Sequence, residues 1–331
     1  MSSFRKIFWY FVIILSTLVI LASLLSLVYD LPYWYSKVLD FPRLQYLILA
    51  LLCFLLFTGL NKKWKVPSML LVLGLVASIY IQSVRIYPYW FGDKAVPDAV
   101  SSEDSQNTVG IMLANVLIKN DKYREFLDLV EKQDPDMLLA MEVDQKWVEE
   151  IAGLKKKYPH VISRPNDEAY GMILFSKFPL KNEEVKYLKH EFVPSFHADV
   201  VLPSGKIFRF HGVHPVAPVP SDKYPDNKGE KEVALLKVGN MVAEEEYPSI
   251  VAGDFNDVSW SHTSRMFESE GELKNVRIGR GLFNTFDATS KVMRWPLDHY
   301  FVTGEFGVVE LKRLPAFGSD HFPIYAEFAL Q

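Results

Sequence analysis

Three long apolar runs open the chain, and beyond residue 107 they give way to short apolar segments broken by polar turns. Ile7 to Val28 is almost purely apolar behind Arg5 and Lys6, long enough at about 1.5 Å per residue to cross a hydrocarbon core. Leu44 to Leu60 and Val66 to Ile86 repeat the pattern, and Asn61-Lys62-Lys63-Trp64-Lys65 joins them as a helical hairpin. Residues 1–91 are therefore predicted to hold three transmembrane helices, at about 7–28, 44–60 and 66–86. A cleaved signal peptide fits less well, because the first run is too long and no small-x-small site follows it. No Asp, Glu or Lys lies in the centre of any run, which disfavours a transport path.

Residues 92–107 are polar, rich in small side chains and without periodicity, which predicts a linker. Residues 108–331 then read as a separate domain. Val109 to Leu117 is strand-like, Asp121 to Glu131 places Phe126, Leu127 and Val130 at helical spacing, and Met137 to Met141 is a second buried strand. Further strands are predicted at Tyr170 to Phe175, Ser195 to Leu202 and Ile207 to Val213, the last two turned into a hairpin by Pro203-Ser204-Gly205. Lys228 to Glu245 is a predicted helix that leads into a strand at Ile250, and later strands are expected at Leu297 to Val302, Gly307 to Leu311 and Phe322 to Phe328. Strands outnumber helices without strict alternation, so the pattern predicts an α/β fold with mixed sheets covered by helices.

Charge sharpens this division. Residues 1–89 hold eight of the 36 basic residues and two of the 40 acidic ones, leaving 28 against 38 and a net charge near −10 for the remainder. Such a balance disfavours tight nonspecific binding to nucleic acid but leaves room for a nuclease that recruits metal ions. Arg5 and Lys6, with Lys62, Lys63 and Lys65, place the amino terminus and the hairpin loop in the cytoplasm. Three crossings then put everything after Pro88 on the extracytoplasmic side of a plasma or inner membrane. Lys37, Arg43, Arg85 and Lys94 lie on the opposite side and weaken that bias. Tyr29, Tyr33, Trp34, Tyr35, Tyr87, Tyr89 and Trp90 fit an aromatic belt at the outer interface. Cys53 is the only cysteine, so neither an intramolecular disulfide nor a Cys-based zinc site can form.

Several apolar runs stop at a polar residue able to bind a metal or a phosphate. Asn115, Glu142, His214, and Asp254 with Asn256 each follow such a run, and Pro296-Leu297-Asp298-His299 and Gly318-Ser319-Asp320-His321 add two Asp-His pairs. Each alone is also explicable as a cap, a turn or a surface residue. Glu142 is a hard oxygen donor suited to Mg²⁺ or Mn²⁺, and Asn115 suits a place beside it. His321 is the candidate general base or phosphate-polarising group, and it needs a carboxylate to fix its tautomer. Asp254 and Asn256 alternate along the chain, so an extended backbone points both to one side, Asp254 toward an attacking water and Asn256 toward a nonbridging oxygen. His214 is a second phosphate-stabilising candidate, whereas His211 and His299 read as structural.

The order Asn115, Glu142, His214, Gly253-Asp254-Phe255-Asn256, Asp298, Ser319-Asp320-His321 resembles the endonuclease/exonuclease/phosphatase superfamily, which includes deoxyribonuclease I, apurinic endonucleases, neutral sphingomyelinases and inositol polyphosphate 5-phosphatases. The resemblance covers roughly residues 107–331, and the segment Tyr170 to Leu180 is similar to a recurrent strand and turn of that superfamily. It implies two packed mixed β-sheets flanked by helices, a four-layer α/β sandwich. It further implies that Asp298 is the carboxylate paired with His321, and that Asp320 joins Asn115 and Glu142 at the metal. The function implied is a membrane-anchored, Mg²⁺- or Mn²⁺-dependent phosphoesterase acting by in-line attack of water. Its substrate is a nucleic acid, a phospholipid or a soluble ester, so a nuclease and a sphingomyelinase-like lipid phosphodiesterase both remain open. A catalytically silent receptor or scaffold is disfavoured because every expected polar position is filled. No nucleophile elbow, P-loop or zinc-protease helix competes, and no protein partner is predicted beside the bilayer.

Overall fold

The computed structural model describes residues 3–29, 33–99, 105–223 and 233–331. Three helices, α1 (Ser3–Leu25), α3 (Arg43–Leu60) and α4 (Val66–Phe91), are long and apolar enough to cross a membrane, and the short α2 (Trp34–Val38) lies between the first two. Small residues let these helices approach: a Cβ on Gly74 would lie 2.7 Å from the Ile20 side chain. The first helix stops three residues short of Val28, where Ser26 donates its hydroxyl back to Ser23 O at 2.8 Å. The third runs on past Ile86 to Phe91, carrying Pro88, whose carbonyl accepts from Gly92 N and Gly279 N.

The rest of the chain forms two six-stranded sheets. The first contains β1 (Thr108–Asn115), β2 (Met137–Met141), β3 (His160–Arg164), β4 (Met172–Ser176), β11 (Phe306–Arg313) and β12 (Ile324–Leu330), in the order β11-β12-β1-β2-β4-β3. The second contains β5 (Leu180–Lys186), β6 (Ser195–Val201), β7 (Ile207–Val213), β8 (Ser249–Asp254), β9 (Lys274–Asn275) and β10 (Asp298–Val302), in the order β5-β6-β7-β8-β10-β9. Each sheet has one parallel pair, β1 with β2 and β7 with β8, and the other pairs are antiparallel, so both are mixed as expected. Ile111, Leu113, Leu139 and Leu174 of one sheet interdigitate with Phe196, Phe208, Phe210 and Tyr300 of the other. Helices cover the outer faces: Phe126 and Val130 of α5 (Tyr123–Gln133) and Trp147 of α6 (Gln145–Glu150) pack on Met112 and Leu138. Leu235 and Val238 of α7 (Val233–Ala243) and Phe267 of α8 (His262–Glu270) pack on Val251 and Phe301. The result is the four-layer α/β sandwich.

Two features were not read from the pattern. Within the stretch 92–107, expected as a linker, Asp98 pairs in parallel with Val308 at the edge of the first sheet and Val96 is fully buried. Its few small apolar residues, Ala95, Val96, Ala99 and Val100, follow neither strand nor helix period, so this edge pairing was invisible in the pattern. Strands β3 and β5 were not expected, since edge strands such as Leu-Lys-Asn-Glu-Glu-Val-Lys expose most of their side chains and lose the apolar signature. The helix expected over Lys228 to Glu245 is seen at Val233–Ala243, and residues 228–232 lie outside the described residues.

The apolar helices sit directly on the two-sheet unit. Phe41, Ile86 and Tyr89 pack with Val258, Trp260, Leu282 and Leu297 in one buried cluster. Trp260 Nε1 donates to Asp40 O at 2.7 Å, and the Tyr89 and Ser259 hydroxyls are 2.7 Å apart. The helices thus dock on the segment that directly follows Asp254 and Asn256.

Candidate active site

Strand register brings the polar strand ends together. Parallel pairing of β1 with β2 and of β7 with β8 sets Asn115 beside Glu142 in one sheet and His214 beside Asp254 in the other, while β10 runs antiparallel and lays Asp298 opposite Asp254. The sheets are joined across this edge by Asn115, whose Nδ2 donates to Glu142 Oε1 at 2.8 Å and to Asp254 Oδ2 at 3.0 Å. Ser319 anchors the loop before β12 by donating to Asn115 O at 2.8 Å, and it accepts from His321 N at 3.1 Å. This places His321 Nδ1 2.8 Å from Asp298 Oδ2, and His321 Nε2 3.5 Å from Asp254 Oδ2. His214 Nε2 lies 3.8 Å from the same Asp254 oxygen.

Backbone geometry is special at these positions. Glu142 has φ 61°, Leu117 59° and Asn256 50°, left-handed values that cost energy in side-chain-bearing residues and cluster at functional sites. Gly253 has φ 149°, and a Cβ there would lie 1.8 Å from Val213 O, so only glycine lets β8 pass so close to β7 just before Asp254.

The structure brings together all eight candidate residues, but two of them differently from expectation. Asn115 was expected among the metal ligands. Its amide nitrogen faces both carboxylates and its Oδ1 accepts from Leu117 N at 3.0 Å, so in this arrangement it holds the carboxylates in place. Asn256 was expected to share a face with Asp254 along an extended strand. The strand ends at Asp254; Asn256 turns into the left-handed region, its N–H donates to Asp254 Oδ1 at 2.8 Å and its Nδ2 to Pro215 O at 2.9 Å. It nevertheless lines a cleft of about 250 Å³ together with Glu142, His214, Tyr170 and Leu117.

The electrostatics are those of a site with too many negative groups. Burial raises Asp254, and the neighbouring Asp298 adds to this against the pull of His321 and His214. Glu142 is pushed up to about 7, mainly by desolvation, with Asp320 and Asp254 contributing. Asp320 is raised for the same reasons. Burial alone would lower His321, but Asp298, Asp254 and Asp320 together hold it up to about 10. His214, buried with its Nδ1 unpartnered among the described residues, is pushed down to about 4 and stays neutral. Asp298 Oδ1 is likewise buried without a partner among the described residues. Four carboxylates around one imidazolium, all hard oxygen donors, fit a divalent cation of the Mg²⁺ or Mn²⁺ type. Among the described residues, donor atoms of Asp254, Asp298 and His321 all lie within 4.8 Å of one another, so the buried negative charge is concentrated beside the ring.

Sequence reasoning did not find the supports of this site. Thr285 Oγ1 accepts from both Leu297 N and Asp298 N at 3.2 Å, fixing the start of β10. The Tyr170 ring stands 5.1 Å from His214, and the Phe286 ring 5.0 Å from His321. Thr285 and Phe286 come from an irregular segment with no periodicity, whereas Tyr170 could have been suspected at the head of its expected strand.

A family profile described as Endonuclease/Exonuclease/phosphatase family matches residues 112–321, well over half of the chain. The chain belongs to the endonuclease/exonuclease/phosphatase family. All eight site residues lie within the matched span, and the three apolar helices lie outside it. Solved structures share the fold. An endonuclease/exonuclease/phosphatase family protein from Bacteroides thetaiotaomicron is 19% identical with a TM-score of 0.53, covering 68% of this chain and 98% of that one. The human Nocturnin catalytic domain with bound sulfate is 18% identical with a TM-score of 0.52, covering 68% and 96%. D. rerio TDP2 in complex with a single-strand DNA product is 16% identical with a TM-score of 0.53, covering 67% and 98%. Identities this low speak for the family's fold alone.

Proposed function

We propose that this chain is a membrane-anchored, divalent-metal-dependent phosphoesterase that hydrolyses a phosphate ester by in-line attack of water. The observation that carries the reading is the convergence of Glu142, Asp254, Asp298 and Asp320 around His321 at the meeting edge of two sheets. Glu142 and Asp320 are the residues that would hold Mg²⁺ or Mn²⁺, and the ion supplies Lewis-acid neutralisation of charge on the phosphate and the leaving oxygen. Asp254, whose raised affinity for protons suits a base, orients the attacking water and takes its proton. Asp298 holds His321 through Nδ1, so Nε2 of the imidazolium faces the phosphate and stabilises the developing negative charge. Neutral His214 and the second amide proton of Asn256 donate to nonbridging oxygens. Asn115 keeps Glu142 and Asp254 in register.

The three apolar helices act as the anchor, with the site on the extracytoplasmic side. Arg43 and Arg85, which weakened the charge bias, are engaged internally: Arg43 with Asp40, and Arg85 through Nη2 to Tyr29 OH at 3.0 Å. Of the substrates left open, a long nucleic acid is the least supported, since no lysine or arginine is among the described residues that line the cleft.

The test uses the full chain in nanodiscs, stripped with chelator and assayed on bis(p-nitrophenyl) phosphate. Hydrolysis is expected only after Mg²⁺ or Mn²⁺ is restored, and Glu142→Gln and His321→Ala are expected to abolish it. Equal rates with and without metal, or full activity in both variants, would reject the proposal.

A further inference from the structure

The loop over residues 287–294 touches both the site and the apolar helices. It is closed at its base, where Thr285 N and Phe286 N donate to Trp295 O at 3.0 and 2.9 Å. On the site side, Ala288 N donates to Asp320 O at 2.7 Å and the Phe286 ring lies against His321. On the other side, Trp295 packs on Phe41 with ring centroids 5.8 Å apart, and Gln45 Nε2 donates to Val292 O at 2.9 Å. Three ring contacts of 5.0, 6.1 and 5.8 Å, from His321 to Phe286 to Trp295 to Phe41, therefore connect the reacting histidine to the start of α3.

Gln45 belongs to one face of α3. Residues 45, 48, 52 and 55 share that face at helical spacing, and Ile48, Leu52 and Leu55 are exposed apolar residues there. In a membrane such a stripe faces lipid, so Val292 sits at its head, at headgroup level. The tip of the loop suits that position. Val292 is 71% exposed and Met293 45%, with Lys291 before them and Arg294 after. Apolar residues flanked by basic ones are what an interfacial element presents to lipid. Three crossing helices already hold the chain in the bilayer, so a further apolar tip adds little to anchoring. Its contacts with Asp320 and His321 give it another use.

We propose that loop 287–294 lies in the bilayer surface and that the phosphate ester brought to the site is the headgroup of a lipid in that same leaflet. The inference rests on the phosphoesterase reading above. Approach is along the membrane plane: the loop spreads headgroups at its tip, and the ester bond reaches the cleft beside Glu142 and Asn256 without leaving the interface.

The full chain is reconstituted with Mg²⁺ or Mn²⁺ into vesicles doped separately with phosphatidylethanolamine, phosphatidylglycerol, phosphatidylinositol, sphingomyelin or a polyprenyl diphosphate, with bis(p-nitrophenyl) phosphate as the soluble comparison. Release of a phosphorylated headgroup or phosphate from at least one lipid is expected. The double variant V292D/M293D, outside the proposed catalytic set, should lose about ten-fold or more on that lipid while keeping its rate on the soluble ester. Independently, a fluorophore on Val292→Cys should be quenched by headgroup-region spin-labelled lipid; Cys53, the native cysteine, is buried and leaves the label confined to the loop. Soluble-ester turnover with every lipid untouched, or an unquenched label, overturns this inference and leaves the phosphoesterase reading standing. No turnover of any ester with either metal overturns both.

Discussion

At the end of the apolar helices that meets the two-sheet unit, Arg43 is fully buried and gives its guanidinium to Asp40, to Ser26 O at 3.1 Å and to Gln82 Oε1 at 3.0 Å, while Gln82 Nε2 donates to Ser23 Oγ at 3.0 Å. At the strand ends, Glu142, Asp254, Asp298 and Asp320 surround the single cationic ring of His321. Both clusters are buried charge, and they differ in balance. The first is one cation against one anion, closed by neutral amides and hydroxyls, and only Arg43 Nε lacks a partner among the described residues. The second repels itself, leaves Asp298 Oδ1 and His214 Nδ1 unpartnered, and raises three of its carboxylates. A closed cluster ties helices together; an unbalanced one stores repulsion that a cation or a phosphate relieves.

The largest expected effect tests that contrast at the strand ends. Asp254→Asn should lower kcat on bis(p-nitrophenyl) phosphate about a thousand-fold or more. Because the variant also removes one of the repelling charges, metal-free stability should fall by less than about 1 kcal/mol. A thermal scan of the chelator-treated protein reads the second quantity. A loss of several kcal/mol would make Asp254 a structural group and erase the distinction between the clusters.

The helix-end cluster should respond in the opposite sense. Arg43→Met leaves Asp40 buried without its cation, which costs about 3–5 kcal/mol in thermal unfolding of the nanodisc-embedded chain. The soluble-ester rate of the protein that remains folded should be unchanged. Adding Asp40→Asn should recover most of the stability, since removing both charges removes the uncompensated one. A double variant no better than the single one would mean that packing, and not charge, holds this end together.

Much of this contrast was legible before the fold was known, and the reason is physical. β2 and β8 are buried at every position, so their apolar runs stand out, and the first polar residue after each marks where backbone leaves the core. Glu142 and Asp254 could be found that way. Arg43 could not: it reads as an interfacial positive charge, and its partners Ser23, Ser26, Asp40 and Gln82 are scattered over α1, the turn after it, the turn before α3, and α4, with no common spacing. The turn of Asn256 into the left-handed region was also hidden, because alternation along a strand says nothing about where the strand stops. Phe286 and Thr285 act through tertiary contact alone, and no local pattern marks such residues.

A third buried group, His197 with His211, sharpens the comparison by having polarity without charge. Their Nδ1 atoms are 2.8 Å apart and Ser195 Oγ is 2.8 Å from His197 Nε2, so one Nδ1 must accept and the two rings cannot both be protonated. Burial pushes His197 down to about 3 and His211 well below its ordinary value, with Lys186 and Arg209 adding to it. A group depressed on folding stabilises fully above its unfolded pKa of about 6.5 and loses that contribution as pH falls, because the unfolded chain takes up protons that the folded one refuses. Each ring should therefore cost up to about 1.4 kcal/mol per pH unit below that point. Denaturant midpoints of the metal-free protein at pH 7.5, 6 and 5, taken as the difference between wild type and the double variant His197→Gln with His211→Gln, should fall along this limb. The unbalanced site responds to pH in the other direction: Glu142, raised on folding, loses its contribution as pH climbs from about 4.5 through 7. Glu142→Gln should remove its share of that trend, beside those of Asp254, Asp320 and His321, and leave the contribution of the histidine pair intact. A single variant that flattened both limbs would show that the histidine pair and the strand-end carboxylates are one electrostatic unit.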